Sequence, residues 1–231
     1  MNRPQPDARK APVTAERILL TGFEPFGGEA VNPSWRVAQA LHGSRIGGGA
    51  TVFAACLPTV FGAAAGRLRQ ALDESGATLV LALGQAAGRS EMSLERVAIN
   101  LDDARIADNA GSQPIDSPVV PGAPAAYFTT LPIKAMVLAM REAGCPAGVS
   151  YSAGTFVCNH VFFALMHELA RRPGVRGGFM HVPLLPQQAA RQGGAAPPSL
   201  ALAEMVAGVR VALATALDTA HDLRHSEGVT A

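Results

Sequence analysis

The chain has 231 residues, 48% of them hydrophobic and only 16% charged, which supports a sizeable core and argues against overall disorder. Its 19 basic and 18 acidic side chains leave a formal net charge of +1, so no basic field is present to attract nucleic acid or an anionic membrane. Three cysteines, Cys56, Cys145 and Cys158, make an odd count with no C-x-x-C spacing. That argues against a disulfide framework or structural zinc, and for a reducing, cytoplasmic setting with a thiol left free. The N-terminus has basic residues but no apolar stretch of the secretory kind, and no window approaches the roughly 18 apolar residues of a membrane span.

Residues 1–15 carry three prolines among polar residues and are expected to form a disordered arm ahead of one domain over 16–225. Residues 17–22 (RILLTG) predict a buried strand, and the Gly- and Pro-rich loop EPFGGEAVNP follows. Pro33 sits in the first turn of a helix to about residue 42. A turn over 43–50 precedes a strand at 51–58 and a helix at 61–74, with Leu68, Ala71 and Leu72 on one face. TLVLALG (78–84) reads as a strand buried on both faces, and 93–101 as another strand. Residues 102–131 lack periodicity and predict a long surface loop, a common place for function. Then follow a helix at 131–143, a strand at 149–153, a helix at 157–171, a strand at 178–185 and a long helix at 199–223, with 226–231 as a frayed tail. Strands alternate with helices, which predicts a single α/β/α sandwich around a largely parallel, twisted sheet with sites at the carboxyl ends of its strands.

Cys158, in GTFVCNH (154–160), falls where a strand gives way to a helix. Free N–H groups and the positive dipole end there favour a thiolate and offer an oxyanion donor. The competing reading is a buried structural cysteine. His181, in GGFMHVP (177–183), suits a rigidly held general base or a satisfied core histidine. Glu95, between Leu94 and Val97, could orient an imidazole or could be an edge-strand charge paired with Arg96. Other motifs are weaker. HELAR (167–171) lacks the last histidine of a zincin, the His221 and His225 pair has no completing carboxylate, and Gly47-Gly48-Gly49 lacks the rest of a phosphate loop.

At these residues the sequence resembles the intracellular pyroglutamyl peptidases, cysteine peptidases also called pyrrolidone-carboxylate peptidases. The resemblance is carried by LLTGFEPFGGEAVNPSW (19–35), ALGQAAGR (82–89), ERVAINLDDARIADNAGSQPID (95–116), YFTTLPIK (127–134), AGTFVCNHVFF (153–163) and GGFMHVPLLPQQ (177–188). It implies Cys158 as nucleophile, His181 as base, Glu95 as the imidazole's partner and Arg105 at the oxyanion. It also implies a ring pocket of Phe23, Phe26 and Phe156, lactam contacts near Gln85, and a bracing role for Asn32. The departures are small: Ala87 where glycine is commoner, Leu184-Leu185-Pro186-Gln187, and a short turn at RRPGVR (171–176).

The implied substrates are peptides with an N-terminal pyroglutamate, with no metal or organic cofactor. Homo-oligomers are compatible with the family. A neutral lactam offers no ammonium to anchor, so apolar walls and paired backbone groups must recognise it. Two rivals fit an α/β sheet: a nucleoside phosphorylase, which needs a phosphate site, and a catalytically dead binding protein.

Overall fold

The computed structural model describes residues 16–192 and 194–228. The arm expected over 1–15 lies outside the described residues, as does the end of the tail. In chain order, β1 (Arg17–Phe23) leads to α1 (Pro33–Leu41), a short β2 (Arg45–Ile46) and β3 (Ala50–Leu57). Next come α2 (Ala63–Ser75), β4 (Leu79–Gln85), β5 (Met92–Glu95), β6 (Val97–Ile99) and β7 (Ala126–Phe128). The last part holds α3 (Ile133–Glu142), β8 (Ala147–Ser150), α4 (Val157–Leu169), β9 (Arg176–Val182), α5 (Pro186–Ala189) and α6 (Leu202–Asp218).

Seven strands form one sheet in the order β2-β3-β1-β4-β9-β5-β8. Its centre is parallel from β3 through β1 and β4 to β9. At the edges, β2 is antiparallel to β3 and β5 is antiparallel to β9, with β8 parallel to β5. The continuous apolar runs follow from burial on both faces. Leu79, Leu81 and Leu83 point into the layer shared with α1, α3 and α6, whereas Val80 and Ala82 point into the layer shared with α2 and α4. The α/β sandwich with a mostly parallel sheet is the architecture expected.

Three local expectations fail. The strand expected over 93–101 is two strands in different sheets. Arg96 N–H donates to Ser150 O (2.8 Å) and its carbonyl accepts from Thr129 N–H (3.0 Å). Its N–H thus closes the β5–β8 ladder while its carbonyl turns to the segment after β7, and β6 pairs with β7, inside the stretch expected to be irregular. A one-turn helix, α5, with Pro186 in its first turn, continues the segment after β9. Finally, the tail is held as far as residue 228: Arg141 bonds the Glu227 carboxylate at 3.0 Å, and Tyr151 Oη donates to Glu227 O at 3.1 Å.

Candidate active site

The carboxyl ends of β1, β4 and β9 carry Phe23, Gln85 and His181 side by side, because the three strands are neighbours and parallel. The chain after β1 returns closely on itself. Gly22 lets α1 approach, since a Cβ there would lie 2.4 Å from Ser34 backbone. Asn32 caps α1 by accepting from Ser34 N–H at 3.1 Å, and its amide donates to Glu24 O at 3.0 Å. The buried Asn32 thereby ties the Phe23–Phe26 loop to a helix end.

Cys158 is the second residue of α4. Gly154 (φ 76°) takes the left-handed turn that brings the chain from β8 into the helix, and Phe156 is the N-cap without a side-chain cap bond. The first N–H groups of α4 are therefore unpaired within the helix and sit beside the thiol.

The thiol and the imidazole share one face of the sheet. Phe179 and His181 are two apart on β9 and so point the same way. Gly84 is the register partner of His181, and a Cβ on it would meet Cys158 Sγ at 2.8 Å and the Phe179 ring at 2.7 Å. The sulfur thus rests on the one residue of β4 with no side chain, next to His181.

Glu95 arrives from the antiparallel neighbour β5. It pairs with Phe179, which puts its carboxylate diagonal to His181 on that same face. Glu95 is fully buried and accepts from His181 Nδ1 at 2.7 Å. It is not an edge charge paired with Arg96; Arg96 lies over the Tyr151 ring instead, 5.4 Å from its centroid. Its cationic partner is Arg89, whose Nη1 donates to the same Glu95 oxygen at 2.8 Å and whose Nη2 donates to Ser152 O at 3.2 Å. Nothing in the sequence singles out Arg89, which ends a Gly- and Ala-rich motif. Arg105 is exposed on the 102–117 segment and makes no side-chain hydrogen bond among the described residues.

Burial sets the protonation of the pair. It pushes the Cys158 thiol up to about 12, Glu95 adds to the rise, and Arg89 opposes it. Removal from solvent and the Glu95 charge therefore favour the thiol, against the thiolate that the helix end alone would favour. Burial also holds His181 below the ordinary histidine range, against the hydrogen bond and charge of Glu95, which pull upward. With Nδ1–H given to Glu95, the neutral ring keeps Nε2 as a base.

A cavity of about 200 Å³ adjoins the thiol, lined by Phe23, Phe26, Asn32, Thr59, Gln85, Phe156 and Cys158 among others. It falls below the roughly 300 Å³ lower end of drug-sized pockets, so it suits one small ring rather than a bulky group. Phe26 and Phe156 pack on each other in its wall, with ring centroids 5.3 Å apart. Gln85 is fixed by Gln188, whose amide donates to Gln85 Oε1 at 3.2 Å. A larger cavity, about 310 Å³, opens at Arg96, Phe128 and His221 and contains none of these groups. No group of three or more His, Cys, Asp or Glu side chains is placed to hold a metal ion among the described residues, nor is any of their helices long and apolar enough to cross a membrane.

Such a site can attack a carbonyl with sulfur, relay the proton through an imidazole and hold a small apolar ring, which is the chemistry of a thiol hydrolase. Comparison with known proteins narrows that class. The pyroglutamyl peptidase family model matches residues 16–219. Pyrrolidone-carboxylate peptidase of Cupriavidus taiwanensis is 61% identical over 213 residues, 91% of this chain and 97% of that protein. The enzyme of the same name from Erwinia tasmaniensis is 53% identical over 215 residues, 93% of this chain and 99% of that protein. The crystal structure of pyroglutamyl peptidase I from Bacillus amyloliquefaciens superposes with a TM-score of 0.87 at 44% identity, covering 90% of this chain and all of that one. A mutant pyrrolidone carboxyl peptidase from Pyrococcus furiosus gives 0.85 at 44% identity, over 87% and 98%. The chain belongs to the pyroglutamyl peptidase family.

Proposed function

We propose that this chain releases the N-terminal pyroglutamyl residue from peptides, through a thioester on Cys158. The observation that carries the reading is the thiol seated on Gly84 beside His181, at the mouth of a ring-sized aromatic cavity. The lactam ring packs against the aromatic wall of Phe23, Phe26 and Phe156, with Gln85 and its neighbouring backbone meeting the ring's N–H and C=O. Proline, which lacks the ring carbonyl, leaves those groups unpaired and is rejected.

His181 Nε2 takes the thiol proton as sulfur attacks the pyroglutamyl carbonyl. The resting pair is neutral, so proton transfer accompanies attack rather than preceding it. The Cys158 N–H at the start of α4 and Arg105 are assigned to the oxyanion. Support for Arg105 is the tie between its segment and the entry to α4: Asp103 N–H donates to Thr155 O at 3.0 Å, and Thr155 Oγ1 donates to Asp103 O at 2.7 Å. The imidazolium protonates the leaving amine, and water activated by the same nitrogen hydrolyses the thioester. Glu95 holds the ring and offsets its transient charge. A free thiol of this kind works in a reducing compartment, so we place the enzyme in the cytoplasm.

The test is release of a fluorophore from a pyroglutamyl amide, with a prolyl amide as control. Wild type should turn over only the first, and Cys158→Ser neither, while Cys56→Ser and Cys145→Ser keep most activity. Undiminished turnover by folded Cys158→Ser would exclude the thioester route.

A further inference from the structure

The nucleophile helix carries a second buried histidine that the reaction does not use. His160 and Asp102 are 6% and 5% exposed, and His160 Nδ1 lies 2.8 Å from Asp102 Oδ2. The backbone N–H of Gly62 donates to His160 Nε2 at 3.1 Å. An Nε2 that accepts carries no proton, so Nδ1 holds it and donates to Asp102. Both ring nitrogens are therefore committed, and this imidazole has no free base. Gly62, the N-cap of α2, has no side chain to cap with, and the imidazole meets its N–H instead.

The ring faces the next aromatic. Phe61 stands edge-on to His160, with centroids 5.5 Å apart at 88°, and edge-on to Phe156, 5.3 Å apart at 89°. The Phe61 backbone N–H is held from another side by Asp108 Oδ2 at 2.9 Å. Phe156 in turn packs on Phe26 in the cavity wall. Neither Phe61 nor His160 lines that cavity. They form a backing layer whose position fixes the wall.

We propose that His160 is a positioning residue for the ring pocket: clamped between Asp102 and Gly62, it holds Phe61 against Phe156 and so sets the position of the aromatic wall that grips the lactam. This rests on the pyroglutamyl reading above, and it predicts an effect on recognition rather than on the thiol. His160 is only two residues from Cys158, so an effect on the nucleophile is the rival to be separated. A role confined to holding the fold is the other.

The experiment measures KM and kcat for the pyroglutamyl amide, together with the rate at which iodoacetamide alkylates Cys158, in wild type, His160→Gln and Phe61→Ala. Circular dichroism and a thermal melt accompany each. Phe61→Ala leaves the clamp whole and removes only the ring it positions, so it carries the test even if His160→Gln fails to fold. In Phe61→Ala, and in His160→Gln where it folds, KM should rise roughly five- to tenfold, the scale of one lost aromatic contact. In the same proteins kcat should stay within about threefold, and the alkylation rate should match wild type, because the thiol and His181 keep their surroundings. Folded Phe61→Ala with an unchanged KM overturns the proposal. So does a fall in kcat with slowed alkylation, which would place the effect on the thiol. Wild type without activity on the pyroglutamyl amide would instead remove the functional reading on which the proposal rests.

Discussion

Two buried histidine–carboxylate pairs lie on opposite sides of Cys158, and they are nearly the same object. His181 meets Glu95 at 2.7 Å and His160 meets Asp102 at 2.8 Å, with all four side chains under a tenth exposed. In each pair one carboxylate oxygen is buried without a hydrogen-bond partner among the described residues. The difference lies at the far nitrogen. His160 Nε2 is occupied by the Gly62 N–H, whereas His181 Nε2 makes no hydrogen bond among the described residues and stands on the thiol's face of the sheet. The second difference is charge: Arg89 pairs with Glu95, whereas no Arg or Lys bonds Asp102 among the described residues. A braced imidazole can serve as a general base only where its second nitrogen is left open; otherwise the same pair can act only as a strut.

The comparison breaks most directly at His181. His181→Ala should lose at least about 10³-fold in kcat, since the half-buried thiol then has no acceptor for its proton. Single-turnover assays on the pyroglutamyl amide measure it. A His181→Ala enzyme with near-normal kcat would mean that the open nitrogen is not the base. His160→Gln, by contrast, should act through KM.

Gly84→Ala should come next. Its φ is not in the left-handed region, so the added methyl is accepted by the backbone but meets the sulfur and the Phe179 ring. One methyl pushes the thiol away from the imidazole, and an ångström of misplacement costs roughly 10²-fold. The effect belongs in kcat, with KM less affected. Phe179 packs on Phe162, which makes retreat by the ring costly. Gly84→Ala with unaltered kcat would show that the sulfur relaxes freely and that its seat on β4 matters little.

Much of this was legible in the chain. The two-face burial of β4 writes itself as a continuous apolar run, and with the shorter apolar stretches of β1 and β9 it locates the sheet and its carboxyl ends. Cys158, His181 and Glu95 were each ambiguous alone and became a group through the resemblance carried by their motifs. What stayed hidden depends on pairing across the fold. The run 93–101 keeps a strand's composition through Arg96, although Arg96 bonds β8 through its N–H and the segment after β7 through its carbonyl, which splits the run between two sheets. Arg89 gains meaning only when a turn brings it onto a buried carboxylate. The Asp102–His160 pair joins residues 58 apart in sequence, and no local pattern marks it. Gly84 reads as an ordinary strand glycine until the sulfur is seen above it.

The smallest effect concerns stability, and it sharpens what burial does to the open pair. Burial holds His181 below the ordinary histidine range in the folded protein, despite the opposing pull of Glu95. In the unfolded chain the same residue titrates near 6.5. Between those two values the unfolded state binds a proton that the folded state refuses, so stability falls as pH drops through about 6.5 and is fully present above it. The slope from this one group cannot exceed about 1.4 kcal/mol per pH unit. Urea denaturation at pH 7.5, 6.5 and 5.5 measures the loss in wild type. His181→Gln cannot take up that proton, so its stability should fall less over the lower interval, while other titrating groups contribute equally to both proteins. The wild-type excess should be absent between pH 7.5 and 6.5 apart from the onset of titration, then grow below 6.5. Parallel curves for the two proteins down to pH 5.5 would mean that Glu95 supports the charged imidazole as well as water does. The site would then rest closer to an ion pair than to a neutral thiol and imidazole.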